Sequence, residues 1–215
     1  MPYFPVFVDL KDKEVVVVGG GKVAERKIEK LLIFEPRIRV ISPKITKGIR
    51  DLHNQGKIEL TLRKVRLADI KRAFMVIVAV DDIKLQKRLY QYCKKKGILC
   101  NSVDSIDYCS FIFPALVVKG DVVIGISTSG KVPALSRAIR EYIERSLPQN
   151  IEDIKQGLEN MRKSLPKGKD RQEIIPIIAY IFPLHTTHYH RPSLHIFWHS
   201  PVKGEVYKGC LRTPS

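Results

Sequence analysis

Apolar and polar positions follow one another in blocks along this chain, and the first block is the most sharply drawn. Val15, Val16, Val17 and Val18 are consecutive β-branched residues, the composition of a strand buried on both faces of a parallel sheet. Three glycines end the run. From Lys22 the spacing becomes helical, with Ala24, Ile28, Leu31 and Leu32 on one face. The alternation then repeats. Residues 39–41 predict a second strand, and residues 46–55 a short helix capped by Thr46 and ended by Gly56. Residues 58–62 predict a third strand and residues 75–80 a fourth, fully apolar, closed by Asp81 and Asp82. Asp82 suits the cap of an amphipathic helix over residues 83–96, which Gly97 stops, and residues 98–102 make the next strand. Residues 3–10 alternate only in part, as a short edge strand or an N-terminal arm. This succession is that of an α/β, Rossmann-type doubly wound parallel sheet.

After residue 110 the pattern changes. Residues 111–118 and 122–126 read as two apolar strands joined by a hairpin-like turn at Lys119, Gly120 and Asp121. A polar turn, Ser127-Thr128-Ser129-Gly130-Lys131, leads to Pro133 at a helix start. That helix runs to residue 147 with Leu135, Ala138, Ile139, Tyr142 and Ile143 on one face; Pro148 breaks it, and a further helix covers residues 151–164. These elements are too few for a core of their own, which predicts packing against a second copy. The expected organisation is a dinucleotide-binding Rossmann domain over residues 1–112 and a small α+β dimerisation and substrate-cleft region over 113–147. A helical segment over 148–175 and an atypical His- and Pro-rich tail over 176–215 follow.

The glycine turn carries the first chemistry. Gly19, Gly21 and Ala24 fill the pattern G-x-G-x-x-G/A between a strand and a helix. The first position makes the tight turn, the second lets backbone approach a pyrophosphate, and the third lets helix and strand pack closely. An acidic residue for the ribose 2′-hydroxyl is expected about 20 residues on, but the second strand ends in Ser42-Pro43-Lys44. Ser42 suits a ribose and Lys44 a 2′-phosphate, so local chemistry leaves NAD and NADP both open. Asp81 falls at the carboxyl end of a central strand, where such sheets bind ligands.

Composition narrows the field. A chain of 215 residues with 44% hydrophobic and 28% charged residues is that of a soluble globular protein. The N-terminal residues lack a basic stretch followed by a long apolar one, so no signal peptide is expected. Residues 174–184 are broken by Pro176 and Pro183 and are too short to span a bilayer. Cys93, Cys100, Cys109 and Cys210 lack paired spacing and read as reduced thiols of a cytoplasmic protein. The net charge of +16 favours anionic ligands, while scattered lysines without interleaved aromatic residues give no nucleic-acid platform. In the tail, His185, His188, His190, His195 and His199 lie within a short stretch without a nearby acidic residue. They are read as part of an irregular extension, and no metal site is assigned.

Several blocks together resemble the precorrin-2 dehydrogenase family, which also forms the N-terminal module of sirohaem synthases. They are Pro5-Val6-Phe7 with Leu10, residues 18–27, Ala79-Val80-Asp81-Asp82, Asn101-Ser102-Val103-Asp104, residues 109–115, residues 126–134, and Ile139-Arg140. The resemblance covers about residues 3 to 165, and the last three blocks are not required by a generic Rossmann domain. It implies NAD-dependent oxidation of precorrin-2 to sirohydrochlorin by a homodimer, with ferrous iron a further substrate in some relatives. It also implies that Asp104 is the acid/base residue, and that dinucleotide contacts fall on Lys22, Val23, Pro43 and Lys44 beside Gly19, Gly21, Ala24, Ser42 and Asp81. Ser127, Thr128, Ser129, Gly130 and Lys131 offer hydroxyls and N–H groups suited to substrate carboxylates. Val80, Gln86 and Ser102 depart from the family's usual threonine, asparagine and valine. The rival reading is a dinucleotide-sensing module that binds cofactor and turns nothing over.

Overall fold

The computed structural model describes residues 3–103 and 105–164. The chain divides into two compact units, with the break after Ser146. The first is built on a parallel five-stranded sheet of β1(Glu14–Val18), β2(Arg37–Ile41), β3(Glu59–Thr61), β4(Met75–Val78) and β5(Leu99–Ser102), in the order β3-β2-β1-β4-β5. Strand order reverses at β1, between the β1·β2 and β1·β4 pairings, which opens a crevice beyond the carboxyl ends of the strands. The α/β, doubly wound architecture is the expected one.

The valine run explains why β1 is central. Val15 and Val17 face one side, with Ile38, Val40, Met75 and Ile77 beside them. They are covered by Ala24, Ile28 and Leu31 of α1(Lys22–Leu32) and Ile49 of α2(Lys47–Asn54). Val16 and Val18 face the other side with Ile41, Val76 and Val78, covered by Ile70 and by Leu89 and Cys93 of α3(Ile83–Lys96). All four valines are at most 2% exposed. A strand with water on one side would alternate; this one has helices on both. Truncating any of these valines to alanine removes buried methyl groups and costs about 2 kcal/mol.

The remaining elements of this unit are β6(Ala115–Lys119), β7(Val122–Ile126) and α4(Pro133–Ser146). β6 and β7 form an antiparallel hairpin turned at Gly120, whose φ is 54°. The second unit contains α5(Ile151–Ser164), with Lys155 and Glu159 paired at 3.3 Å along its surface.

One expectation changes, one of two open readings is decided, and two elements are new. Residues 111–114 are not part of β6. Instead Phe111 and Phe113 lie against each other, ring centres 5.4 Å apart, and pack on the core beneath α1. Asn101 fixes this segment by donating from Nδ2 to the Phe111 carbonyl at 3.0 Å. Residues 3–10 form no strand, and Phe4 and Phe7 are largely exposed. Two single 3-10 turns, Leu67–Ile70 and Ile106–Tyr108, fall where the sequence has no periodicity to announce them.

Candidate functional site

A cleft of about 780 Å³ opens at the strand-order reversal. Its floor is the turn between β1 and α1. Gly19 has φ 117°, and a Cβ there would overlap the carbonyl oxygen of Ala79. Only glycine makes this turn against β4's end. Gly21 ends the turn with φ −82° and nothing within 4 Å of where a Cβ would stand, so a ligand can come up to the backbone. Helix α1 begins at once. Its first intrahelical bond runs from the Glu25 N–H to the Gly21 carbonyl at 3.0 Å, leaving the N–H groups of Lys22, Val23 and Ala24 without helical acceptors. This is the geometry that receives a phosphate. Ala24 is fully buried behind the turn, where its small side chain lets α1 lie close on β1.

One wall comes from the β2–α2 loop, with Ser42, Pro43, Lys44, Ile45 and Thr46 lining it. The Ser42 hydroxyl donates to the Lys44 carbonyl at 2.6 Å, so toward a ligand it retains acceptor capacity only. The loop is tied to the glycine turn by the Thr46 N–H, which donates to the Gly20 carbonyl at 2.9 Å. Thr46 also caps α2, its Oγ1 accepting from the Ile49 N–H at 3.4 Å.

The opposite wall is Ala79, Val80, Asp81, Ile83, Gln86, Val103 and Ser105. Asp82 caps α3 through Oδ1, which accepts from the Leu85 N–H at 3.0 Å, and Asp81 is left exposed on the cleft. Asp104 lies outside the described residues; its chain neighbours Val103 and Ser105 both line the cleft. The His-rich tail also lies outside them.

The expected cofactor residues Gly19, Gly21, Lys22, Val23, Ser42, Pro43, Lys44 and Asp81 are thus gathered in one place, and Ala24 supports them from behind. Ser127, Thr128, Ser129, Gly130 and Lys131 do not line this cleft. They form the turn before α4. Thr128 Oγ1 accepts from the Val132 N–H at 3.2 Å and lies 3.0 Å from Ser136 Oγ; Ser127 Oγ accepts from the Ser129 N–H at 3.0 Å. Gly130, φ 75°, packs beside Ile106 in the 3-10 turn that follows Ser105.

Two lining residues were not anticipated for the roles they take. Gly20 is held because a Cβ would overlap the Lys44 carbonyl, a contact between segments far apart in sequence. Gln86, 2% exposed, donates from Nε2 to the Val80 carbonyl at 2.7 Å, while its Oε1 is buried without a partner. An orphaned acceptor costs about 1–3 kcal/mol. Its signal in the sequence is a polar residue in the buried stripe Gln86, Leu89, Cys93 of α3. The hydrogen bond from Cys93 and burial push the Cys100 thiol up, and burial pushes Cys109 up.

An open glycine and helix N–H groups without helical acceptors in one cleft, with the orphaned acceptor of Gln86 in its lining, fit a dinucleotide. Comparison with known proteins agrees. Residues 6–115 match the family described as "Putative NAD(P)-binding". The chain is 36% identical over 151 residues to siroheme synthase 1 of Serratia proteamaculans, covering 70% of this chain and 32% of that protein. It is 39% identical over 151 residues to siroheme synthase of Blochmanniella pennsylvanica, covering 70% and 31%. It therefore spans about a third of the length of these curated relatives. Among solved structures it is similar to SirC, precorrin-2 dehydrogenase, with TM-score 0.67 and 27% identity over 82% of this chain and 89% of that one. The glycine turn and a match spanning residues 6–115 converge: the chain belongs to the NAD(P)-binding family.

Proposed function

We propose that this chain is an NAD-dependent precorrin-2 dehydrogenase, producing sirohydrochlorin in sirohaem biosynthesis. The observation that carries the reading is the cleft itself, whose lining includes Val103 and Ser105, the residues on either side of Asp104. Similarity to SirC, precorrin-2 dehydrogenase, and to siroheme synthases supplies the substrate.

Bound NAD supplies the hydride acceptor. The protein's part is to hold and deprotonate. Gly21 and the N–H groups opening α1 take the pyrophosphate, with Lys22 and Val23 at its edge. Ser42, Pro43 and Lys44 hold the adenosine ribose. Asp81 borders the other half of the cofactor, near the β4 end of the cleft. The Asp104 carboxylate would take the proton that leaves the substrate, the other hydrogen leaving as the hydride that bound NAD would accept, so that two hydrogens are lost as H⁻ and H⁺. Residues 127–131 approach the substrate carboxylates from the Ile106 side. The enzyme works as a homodimer through the region that carries β6, β7 and α4. Iron insertion to give sirohaem would use the same carboxylate on a pyrrole N–H, with ferrous iron as substrate.

Anaerobic turnover of precorrin-2 with NAD tests this, followed by nicotinamide absorbance for wild type and Asp104→Ala. The expected result is NAD reduction by wild type and at least 100-fold slower turnover by the variant, about 3 kcal/mol in the barrier, with cofactor binding intact. Ferrous iron added afterwards reveals chelation as sirohaem formed above the uncatalysed rate. Wild type that binds NAD and never reduces it would overturn the enzyme reading in favour of a sensing module.

A further inference from the structure

We propose that Gln86 is a positioning residue that reads the nicotinamide half of the dinucleotide through its Oε1. The inference rests on the cofactor placement given above and adds to it a contact that the glycine fingerprint does not contain.

The orientation of the amide is fixed by its partner. Gln86 lies one turn into α3, and its side chain reaches back to the end of β4 to meet the Val80 carbonyl at 2.7 Å. A carbonyl accepts and cannot donate, so the atom facing it is Nε2. That leaves Oε1 as the free atom, an acceptor, buried and without a partner. Among the described residues three buried side-chain oxygens lack a hydrogen-bond partner, Glu25 Oε2, Ser102 Oγ and this one, and of the three residues only Gln86 lines the cleft, which points to a partner that arrives with the ligand. Gln86 shares its wall of the cleft with Val80, Asp81, Ile83, Val103 and Ser105, while the adenosine wall is Ser42 to Thr46 across the glycine turn. The donors available at this end of a dinucleotide are the carboxamide NH₂ and the hydroxyls of the nicotinamide ribose. Oε1 is covered in this structure. Contact with a ligand requires a small rotation of the amide.

Isothermal titration of the full chain with NAD and with AMP tests the proposal, using Gln86→Met and Gln86→Glu, with unliganded melting temperatures alongside. Both variants lose the Val80 bond, so both lose some stability. Only Gln86→Glu keeps an acceptor for the ligand. The expected result is a roughly 10-fold drop in NAD affinity for Gln86→Met, the size of one lost hydrogen bond, with AMP binding unchanged. Gln86→Glu should keep the wild-type ratio of NAD to AMP affinity. Repeating the titration with 3-acetylpyridine adenine dinucleotide, which has a methyl in place of the amide NH₂, separates the two donors. A penalty that vanishes with the analogue assigns the carboxamide, and one that persists assigns the ribose. If Gln86→Met keeps the NAD-to-AMP ratio, or if both variants lose it alike, Gln86 only braces the end of β4 and the proposal fails. Wild type that binds AMP and NAD equally well also overturns it, while wild type that binds neither removes the cofactor reading of the cleft itself.

Discussion

Three neighbouring glycines of one turn do three different jobs, and substitution separates them. Gly19 sits at φ 117° with the Ala79 carbonyl where its Cβ would be, so Gly19→Ala adds backbone strain to a steric overlap. The expected cost is about 3 kcal/mol, measured by denaturant unfolding. Gly21, at φ −82° with open space beside it, accepts alanine without strain. Gly21→Ala should unfold at nearly the wild-type denaturant concentration and bind NAD about 10-fold or more weakly, because the new methyl stands where the pyrophosphate comes closest. Loss of stability in Gly21→Ala without loss of affinity would contradict this division. The roles of Gly19 and Gly21 are legible in the fingerprint, since they follow from a local strand-turn-helix. That of Gly20 is not. Its constraint comes from the Lys44 carbonyl, Ile45 and Ser42, brought over it by a loop more than twenty residues away. Gln86 was half legible: the stripe Gln86, Leu89, Cys93 marks it as buried, but only the sheet shows that Val80 takes its donor and leaves its acceptor.

At the scale of elements, those that carry both end signals in their own sequence were read well. Helix α3 runs over Ile83–Lys96 because Asp82 caps its start and Gly97, at φ 69°, ends it. The segment between β3 and β4 has neither period nor caps, and what orders it is electrostatic. Both nitrogens of Arg63 donate to the two oxygens of Asp69 at 2.7 Å, and the Arg66 N–H adds a third bond at 2.7 Å. Arg39 links the same turn to the sheet, donating to the Asp69 carbonyl at 2.7 Å while pairing with Glu14 at 2.5 Å. Hydrogen bonding from Arg63, opposed by desolvation and reinforced by the Arg66 N–H, lowers the Asp69 carboxyl to about 2. An unfolded aspartate titrates near 3.9. A depressed folded value means stability that is fully present above about pH 4 and lost as pH falls toward 2. Asp69→Asn should therefore melt several degrees below wild type at pH 7, with the gap narrowing below pH 4 and nearly closed at pH 2. A gap that stays constant across that range would show that shape, and not charge, holds this turn.

For the whole molecule, the doubly wound parallel sheet and a ligand site at the carboxyl ends of its strands followed from strand-helix alternation, whereas the order of the strands and the surroundings of α4 did not follow from periodicity alone. Its apolar stripe was expected to be covered. In the isolated chain Leu135, Ile139 and Tyr142 remain exposed, at 49%, 37% and 69%, spaced so that they share one helix face, and Val132, just before the helix, is exposed too. A contiguous apolar face of this kind is the mark of an interface, and the proposed homodimer supplies its cover. The consequence is a separation of activities. The dinucleotide cleft is lined by residues that fall between Gly19 and Ser105 and owes nothing to the stripe, while the proposed substrate turn at residues 127–131 leads directly into α4. Replacing Leu135 and Ile139 together by glutamate places two charges on the face and should yield a monomer by light scattering at micromolar concentration. That monomer should bind NAD as wild type does and lose at least 10-fold in turnover, since the substrate turn has lost the contact that fixes its helix. A wild-type chain that is itself monomeric, or a double variant that remains dimeric, would assign the stripe another cover. A monomer with full turnover would place substrate recognition within a single chain.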